Sequence, residues 1–111
     1  MNIEHCIIRH STGTGQGVAC FYNSTGKFSD NHLHDNETYT EIAVFDNTPM
    51  EISRNLIEDN VSEHGAGIFV LEDSPDIIAN IIRNNRATVM AFGTGLYLVS
   101  GCRSEVRGNL I

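Results

Sequence analysis

Basic residues are scarce in this 111-residue chain. Seven Lys and Arg stand against 14 Asp and Glu, giving a net charge of −7 and a pI of about 5.0. No basic stripe is available to neutralise phosphates, so nucleic acid is not an expected partner. The same balance weighs against polyanionic substrates unless a metal ion intervenes. Long apolar runs are also missing. None approaches the roughly 18 residues that a membrane-spanning helix needs, and no membrane partner is expected. The opening MNIEHCIIRH lacks a basic stretch followed by an apolar one, so no signal peptide is expected, and a complete chain would be cytoplasmic. Only three cysteines occur, Cys6, Cys20 and Cys102. Their number is odd and their spacing fits no metal site, so free thiols are expected, with no metal and no cofactor. Helical periodicity is absent as well.

What the chain does have is a repeat. In MEISRNLIEDN, Ile52, Asn55, Ile57 and Asn60 alternate apolar residue and asparagine at offsets of three, two and three. The pattern recurs at Ile77, Asn80, Ile82, Asn85 and at Phe28, Asn31, Leu33, Asn36. Weaker copies stand at Ile3, Cys6, Ile8, Ser11 and at Val106, Asn109, Ile111. From Cys6 through Asn31, Asn55 and Asn80 to Asn109 the steps are 25, 24, 25 and 29 residues. Before each later copy comes an apolar run: 17–21, 41–45, 67–71 and 95–99, three of which open with glycine. One period therefore holds three short strand-like segments bounded by Asn, Gly, Ser and Asp. Two strands separated by a single turn residue cannot form a hairpin in one sheet. The asparagines fit corners, where Asn tolerates left-handed backbone. Stacked coils would align Asn31, Asn55, Asn80 and Asn109 into one ladder and Asn36, Asn60 and Asn85 into a second.

With Gly67, Ile68, Val70, Ile77, Asn80, Ile82 and Asn85 in this order, the chain resembles the right-handed parallel β-helix family of pectin-lyase-like fold, over essentially all 111 residues. The resemblance implies an all-β, single-stranded parallel β-helix of four to five coils, with 24–29 residues per coil. Residues 1–111 would form a single domain, either free-standing or part of a longer β-helix. It also implies carbohydrate as the ligand class to test. It is specific for fold and not for function, because many chemistries share such scaffolds.

Two outward faces are candidates for function. In the glycine-led strands, strict alternation turns Val18/Cys20, Ile42/Val44, Ile68/Val70 and Leu96/Leu98 inward, making Cys20 a small core residue. Outward this leaves Phe21, Phe45, Phe69, Leu71, Tyr97 and Val99, an apolar patch with the character of an association surface. A homo-oligomer is the expected assembly, and an aromatic platform for sugar stacking is the alternative use of that face. On the third strand of each coil, Arg9, His34, Glu58 and Arg83 stack outward, beside His10, Asp35, Asp59 and Asn84. Carboxylates on successive coils would lie roughly 5 Å apart. That spacing suits acid/base chemistry, which makes His34, Asp35, Glu58 and Asp59 the catalytic candidates of a polysaccharide lyase, hydrolase or epimerase. A solvated ladder of alternating charge explains the same residues. Arg86–Thr94 carries an apolar insertion, Val89–Phe92, suited to folding over an open end or edge.

Overall fold

The computed structural model describes residues 1–13, 15–64, 67–89 and 93–111. The first coil holds β1 (Asn2–Glu4), β2 (Ile7–Arg9) and β3 (Ala19–Tyr22). The second holds β4 (Gly26–Ser29), β5 (His32–His34), β6 (Glu37–Thr38) and β7 (Ile42–Phe45). The third repeats this as β8 (Met50–Ser53), β9 (Leu56–Glu58), β10 (Val61–Ser62) and β11 (Ile68–Leu71). The fourth does so as β12 (Asp76–Ile78), β13 (Ile81–Arg83), β14 (Arg86–Ala87) and β15 (Leu96–Val99), and β16 (Val106–Arg107) starts a fifth.

Equivalent strands of successive coils pair in parallel and build four sheets. Sheet 1 contains β1, β4, β8, β12 and β16; sheet 2 contains β2, β5, β9 and β13; sheet 3 contains β6, β10 and β14; sheet 4 contains β3, β7, β11 and β15. Sheet 3 corrects the expectation of three strands per coil, because the stretches that follow Asn36, Asn60 and Asn85, outside the three expected segments, begin with two paired residues each. In the first coil its counterpart is a single bridge, Thr12 to Glu37.

The register explains the core. Ile3, Phe28, Ile52, Ile77 and Val106 form one inward row. Ile8, Leu33, Ile57 and Ile82 form a second, and Ile42, Ile68 and Leu96 a third. In the middle coils Phe28, Leu33, Ile42, Ile52, Ile57, Ile68 and Ile77 are fully buried. Each such apolar side chain contributes roughly 2 kcal/mol of transfer free energy. A fourth inward row holds Phe21, Val44, Val70 and Leu98, and at the last coil the rows run out of neighbours, leaving Leu98 and Val106 38% and 43% exposed.

The first coil departs from the expected phase. Ala19 pairs with Ile42, Cys20 with Ala43, Phe21 with Val44 and Tyr22 with Phe45. Phe21 therefore points inward, is 4% exposed and packs edge-to-face on Phe28 at 5.4 Å. It is a core residue, not part of the outward patch. Cys20 is exposed, not a core residue, and Tyr22 takes the outward place beside Phe45. The run 17–22 is apolar on both faces, so alternation alone could not fix its phase.

Both asparagine ladders form. Asn55 Oδ1 accepts from the Asn31 backbone N–H at 3.0 Å and from Asn31 Nδ2 at 3.1 Å, while Asn55 Nδ2 donates to the Phe28 carbonyl at 2.9 Å and to Asn80 Oδ1 at 3.0 Å. Asn80 and Asn109 repeat the arrangement, and Asn36, Asn60 and Asn85 repeat it at the next corner. The left-handed residue is not the asparagine. It is the one before: His5, Asp30, Arg54 and Ala79 at the first corner, and His10, Asp35, Asp59 and Asn84 at the second, all with φ between 52° and 58°. The reason is geometric. The bend must be complete before the asparagine, so that its side chain lies along the stack and meets the next rung.

Candidate functional site

The outer face of sheet 2 gathers most of the expected polar residues. Arg9, His34, Glu58 and Arg83 lie in one register row. Arg83 donates from Nε and Nη2 to Glu58 Oε2, each at 2.7 Å. His32 Nε2 lies 2.9 Å from Glu58 Oε1, and His34 Nδ1 lies 2.7 Å from Asp35 Oδ2. The two imidazole rings are 4.3 Å apart. Asp59 stands outside this network, exposed at its corner. The hydrogen bond from Arg83 holds the Glu58 carboxyl below its ordinary range, with His32 adding to it. The hydrogen bond to His34 does the same for Asp35. A two-carboxylate hydrolase needs one carboxyl raised so that it can donate a proton. Here both neighbours of the histidines are pinned as anions. Among the described residues, no three His, Cys, Asp or Glu side chains converge on a point that could hold a metal ion.

The outer face of sheet 4 carries a continuous column of rings. Tyr22 and Phe45 stack at 4.8 Å with 13° between planes. Phe45 meets Phe69 edge-to-face at 5.7 Å, and Phe69 meets Tyr97 at 5.6 Å. The Tyr22 hydroxyl donates to Gln16 Oε1, fixing the first ring. Beside the rings stand Leu71 and Val99, in register with Phe45. The outward positions Cys20, Tyr22, Ala43, Phe45, Phe69, Leu71, Tyr97 and Val99 hold no charged residue. The structure thus brings Phe45, Phe69, Leu71, Tyr97 and Val99 together as expected and substitutes Tyr22 for Phe21.

Sheet 3 adds a site that sequence reading missed. Across its outer side runs a groove of about 370 Å³, lined by Thr12, Glu37, Thr38, Val61, Ser62 and Glu63 and closed by Gly13, Thr88 and Val89. Beneath it lies Glu41, fully buried just ahead of β7. Burial pushes its carboxyl up to about 7, against the nearby polar side chains of Thr38, Asn36 and Ser62, which pull the other way. The only signal in the sequence is a glutamate opening an apolar run whose three counterparts open with glycine. Val89 is exposed, and its N–H donates to the Glu63 carbonyl at 2.9 Å. The remainder of the apolar insertion, residues 90–92, lies outside the described residues.

This four-sheet, all-parallel solenoid with two asparagine ladders defines the class. A family model described as a right-handed β-helix region matches residues 1–111, and the chain belongs to that family. No curated protein and no solved structure matches it significantly.

Proposed function

We propose that this β-helix is a non-catalytic binding or structural module that pairs with a second copy of itself through the outer face of sheet 4. The observation that carries this reading is the uncharged column of rings, flanked by Leu71 and Val99. A molecule of net charge −7 leaves one whole sheet face without a charge, so two copies can meet there without setting like charges against each other. Size sets the strength. Four strands at about 4.8 Å, with four residues each at about 3.3 Å, cover about 250 Å², well below the roughly 800 Å² per partner of a standard interface. The pair is therefore weak and depends on concentration. Tyr22 and Phe45 stack on one another and Phe69 meets Phe45 edge-to-face, so the rings already occupy part of one another's faces, an arrangement suited to apolar packing more than to sugar stacking. Sedimentation over a wide concentration range is expected to show monomer passing into dimer, and Phe45→Asp is expected to leave only monomer. A wild-type chain that stays monomeric throughout would overturn the reading.

A second reading, carbohydrate binding, is favoured by the groove of sheet 3, with the hydroxyls of Thr12, Thr38, Ser62 and Thr88 beside two carboxylates. Polysaccharide-active chemistry has less support, because Glu58 and Asp35 are held ionised. Binding without turnover on a panel of neutral glycans, lost in Glu63→Ala, is the result this second reading expects.

A further inference from the structure

Glu41 turns its side chain into the solenoid, where it has no exposed surface. Its Oε1 lies 3.3 Å from Thr38 Oγ1, a hydroxyl whose one proton goes to the Thr40 carbonyl at 2.7 Å. Its Oε2 is buried without a hydrogen-bond partner. The polar groups around it, Asn36, Thr38 and Ser62, are uncharged, and no ion pair reaches it among the described residues. In the coil above, the equivalent position is Gly67, which contributes no side chain to contest the space. A Cβ at Gly67 would itself come within 2.5 Å of Ile82 Cγ2. The position therefore takes a long polar side chain in the second coil, where its stacked neighbour is bare.

An unpaired carboxylate in such a place is strongly disfavoured, so the group resolves the conflict by holding a proton. Two of its polar neighbours, Thr38 and Ser62, also line the groove of sheet 3, so Glu41 sits one residue layer below solvent. Titratable side chains on the surrounding elements are Glu37 on β6, Glu63 and His64 after β10, and Arg86 on β14. Glu37 and Arg86 share the outward row of sheet 3 with Val61, and Glu63 lines the groove. His64 stacks on Tyr39 at 4.2 Å. Cys20 and Tyr22 on β3 and His32, His34 and Glu58 on β5 and β9 belong to the outer faces of sheets 4 and 2.

We propose that Glu41 is a proton-operated latch beneath the groove of sheet 3: as a neutral acid it lies sealed inside the solenoid, and on losing its proton it draws water through the floor at Thr38 and Ser62 and loosens the junction between sheets 3 and 4. The sign follows from linkage. Folding raises this carboxyl from 4.5 to about 7, so its stabilising contribution is fully present below the unfolded value and is lost as pH rises through the folded one. Across that window the folded-to-unfolded ratio falls by up to about tenfold per pH unit, and above it the dependence levels off.

The test combines a carbon-13 titration of the Glu41 carboxyl with urea unfolding from pH 4.5 to 8, on wild type, Glu41→Gln and Glu41→Gly. Glycine is the residue that the third and fourth coils carry at this position. The carboxyl is expected to titrate near neutrality. The wild-type decline is expected to flatten in both variants, and amide exchange at residues 38–42 and 61–64 is expected to quicken above pH 7 in wild type alone, after correction for intrinsic exchange. Titration at an ordinary carboxylate value, or a decline that persists unchanged in whichever variant folds, would overturn the latch.

Discussion

A single asparagine carries the stack at each corner. Asn55 makes four hydrogen bonds, two as acceptor and two as donor, and is 1% exposed. Replacing it by alanine strands the Asn31 N–H and the Phe28 carbonyl inside the molecule, so Asn55→Ala is expected to cost about 3 kcal/mol in urea unfolding. Asn109→Ala, at the last and partly exposed rung, is expected to cost about 1 kcal/mol. The rungs were legible in the sequence because their spacing is kept from coil to coil. Their backbone was not, because a side-chain pattern says nothing about which residue takes the bend. The left-handed positions hold Arg54 and Ala79 as well as Asp and Asn, types that sequence alone does not mark as turns. Ala79 sits at φ 55° with no polar side chain to favour it, and Gly108 occupies the equivalent place one coil on. Ala79→Gly is therefore expected to stabilise the protein by about 0.5–1 kcal/mol, the relief of the Cβ strain net of glycine's added backbone entropy. The midpoint of thermal unfolding would show it.

At the scale of the strand, phase decides everything. Phe21 and Tyr22 are adjacent, yet one is core and the other surface. Phe21→Ala is expected to cost about 3 kcal/mol, as a buried ring packed on Phe28, whereas Tyr22→Ala is expected to cost less than about 1 kcal/mol. Reversed magnitudes in chemical unfolding would mean that β3 pairs one residue out of the described register. Sequence reading placed the middle coils correctly because Ile42/Val44 and Ile68/Val70 alternate with smaller or aromatic residues across well-marked turns. It failed at β3, where residues apolar on both faces leave alternation without a preferred phase, and at sheet 3, where two residues per strand are too few to alternate at all. Both failures touch the candidate sites: the first misplaced one member of the aromatic column, and the second hid the groove and the acid beneath it.

The whole molecule measures 30 × 28 × 24 Å, so the ends of the stack are as broad as its sides. At the N-terminal end a hollow of about 500 Å³ opens between Met1, Ile3, Ile8, Val18, Phe21 and Phe28. At this scale the pH response is the sum of opposed groups. Asp30, Asp35, Glu51 and Glu58 are all held below their ordinary range by basic or hydroxyl partners. Their contribution is present above the unfolded carboxylate values and disappears as pH falls through the folded ones. Glu41 works in the other direction and acts at higher pH. Stability is accordingly expected to peak in mildly acidic solution, with a fall on either side that calorimetry at several pH values would record.

The rungs join residues 24, 25 and 29 apart along the chain at nearly constant length, 3.0, 3.0 and 2.8 Å. The longest step places three of its four extra residues between β14 and β15 and the fourth between β15 and β16, and leaves the asparagine corners untouched. Length has thus been decoupled from architecture chiefly at one side of the circuit. A graft of ten or more residues between Thr88 and Thr94 is expected to cost about 1 kcal/mol of loop-closure entropy. The scaffold can therefore gain a new surface feature there while the stack beneath it stays as it is.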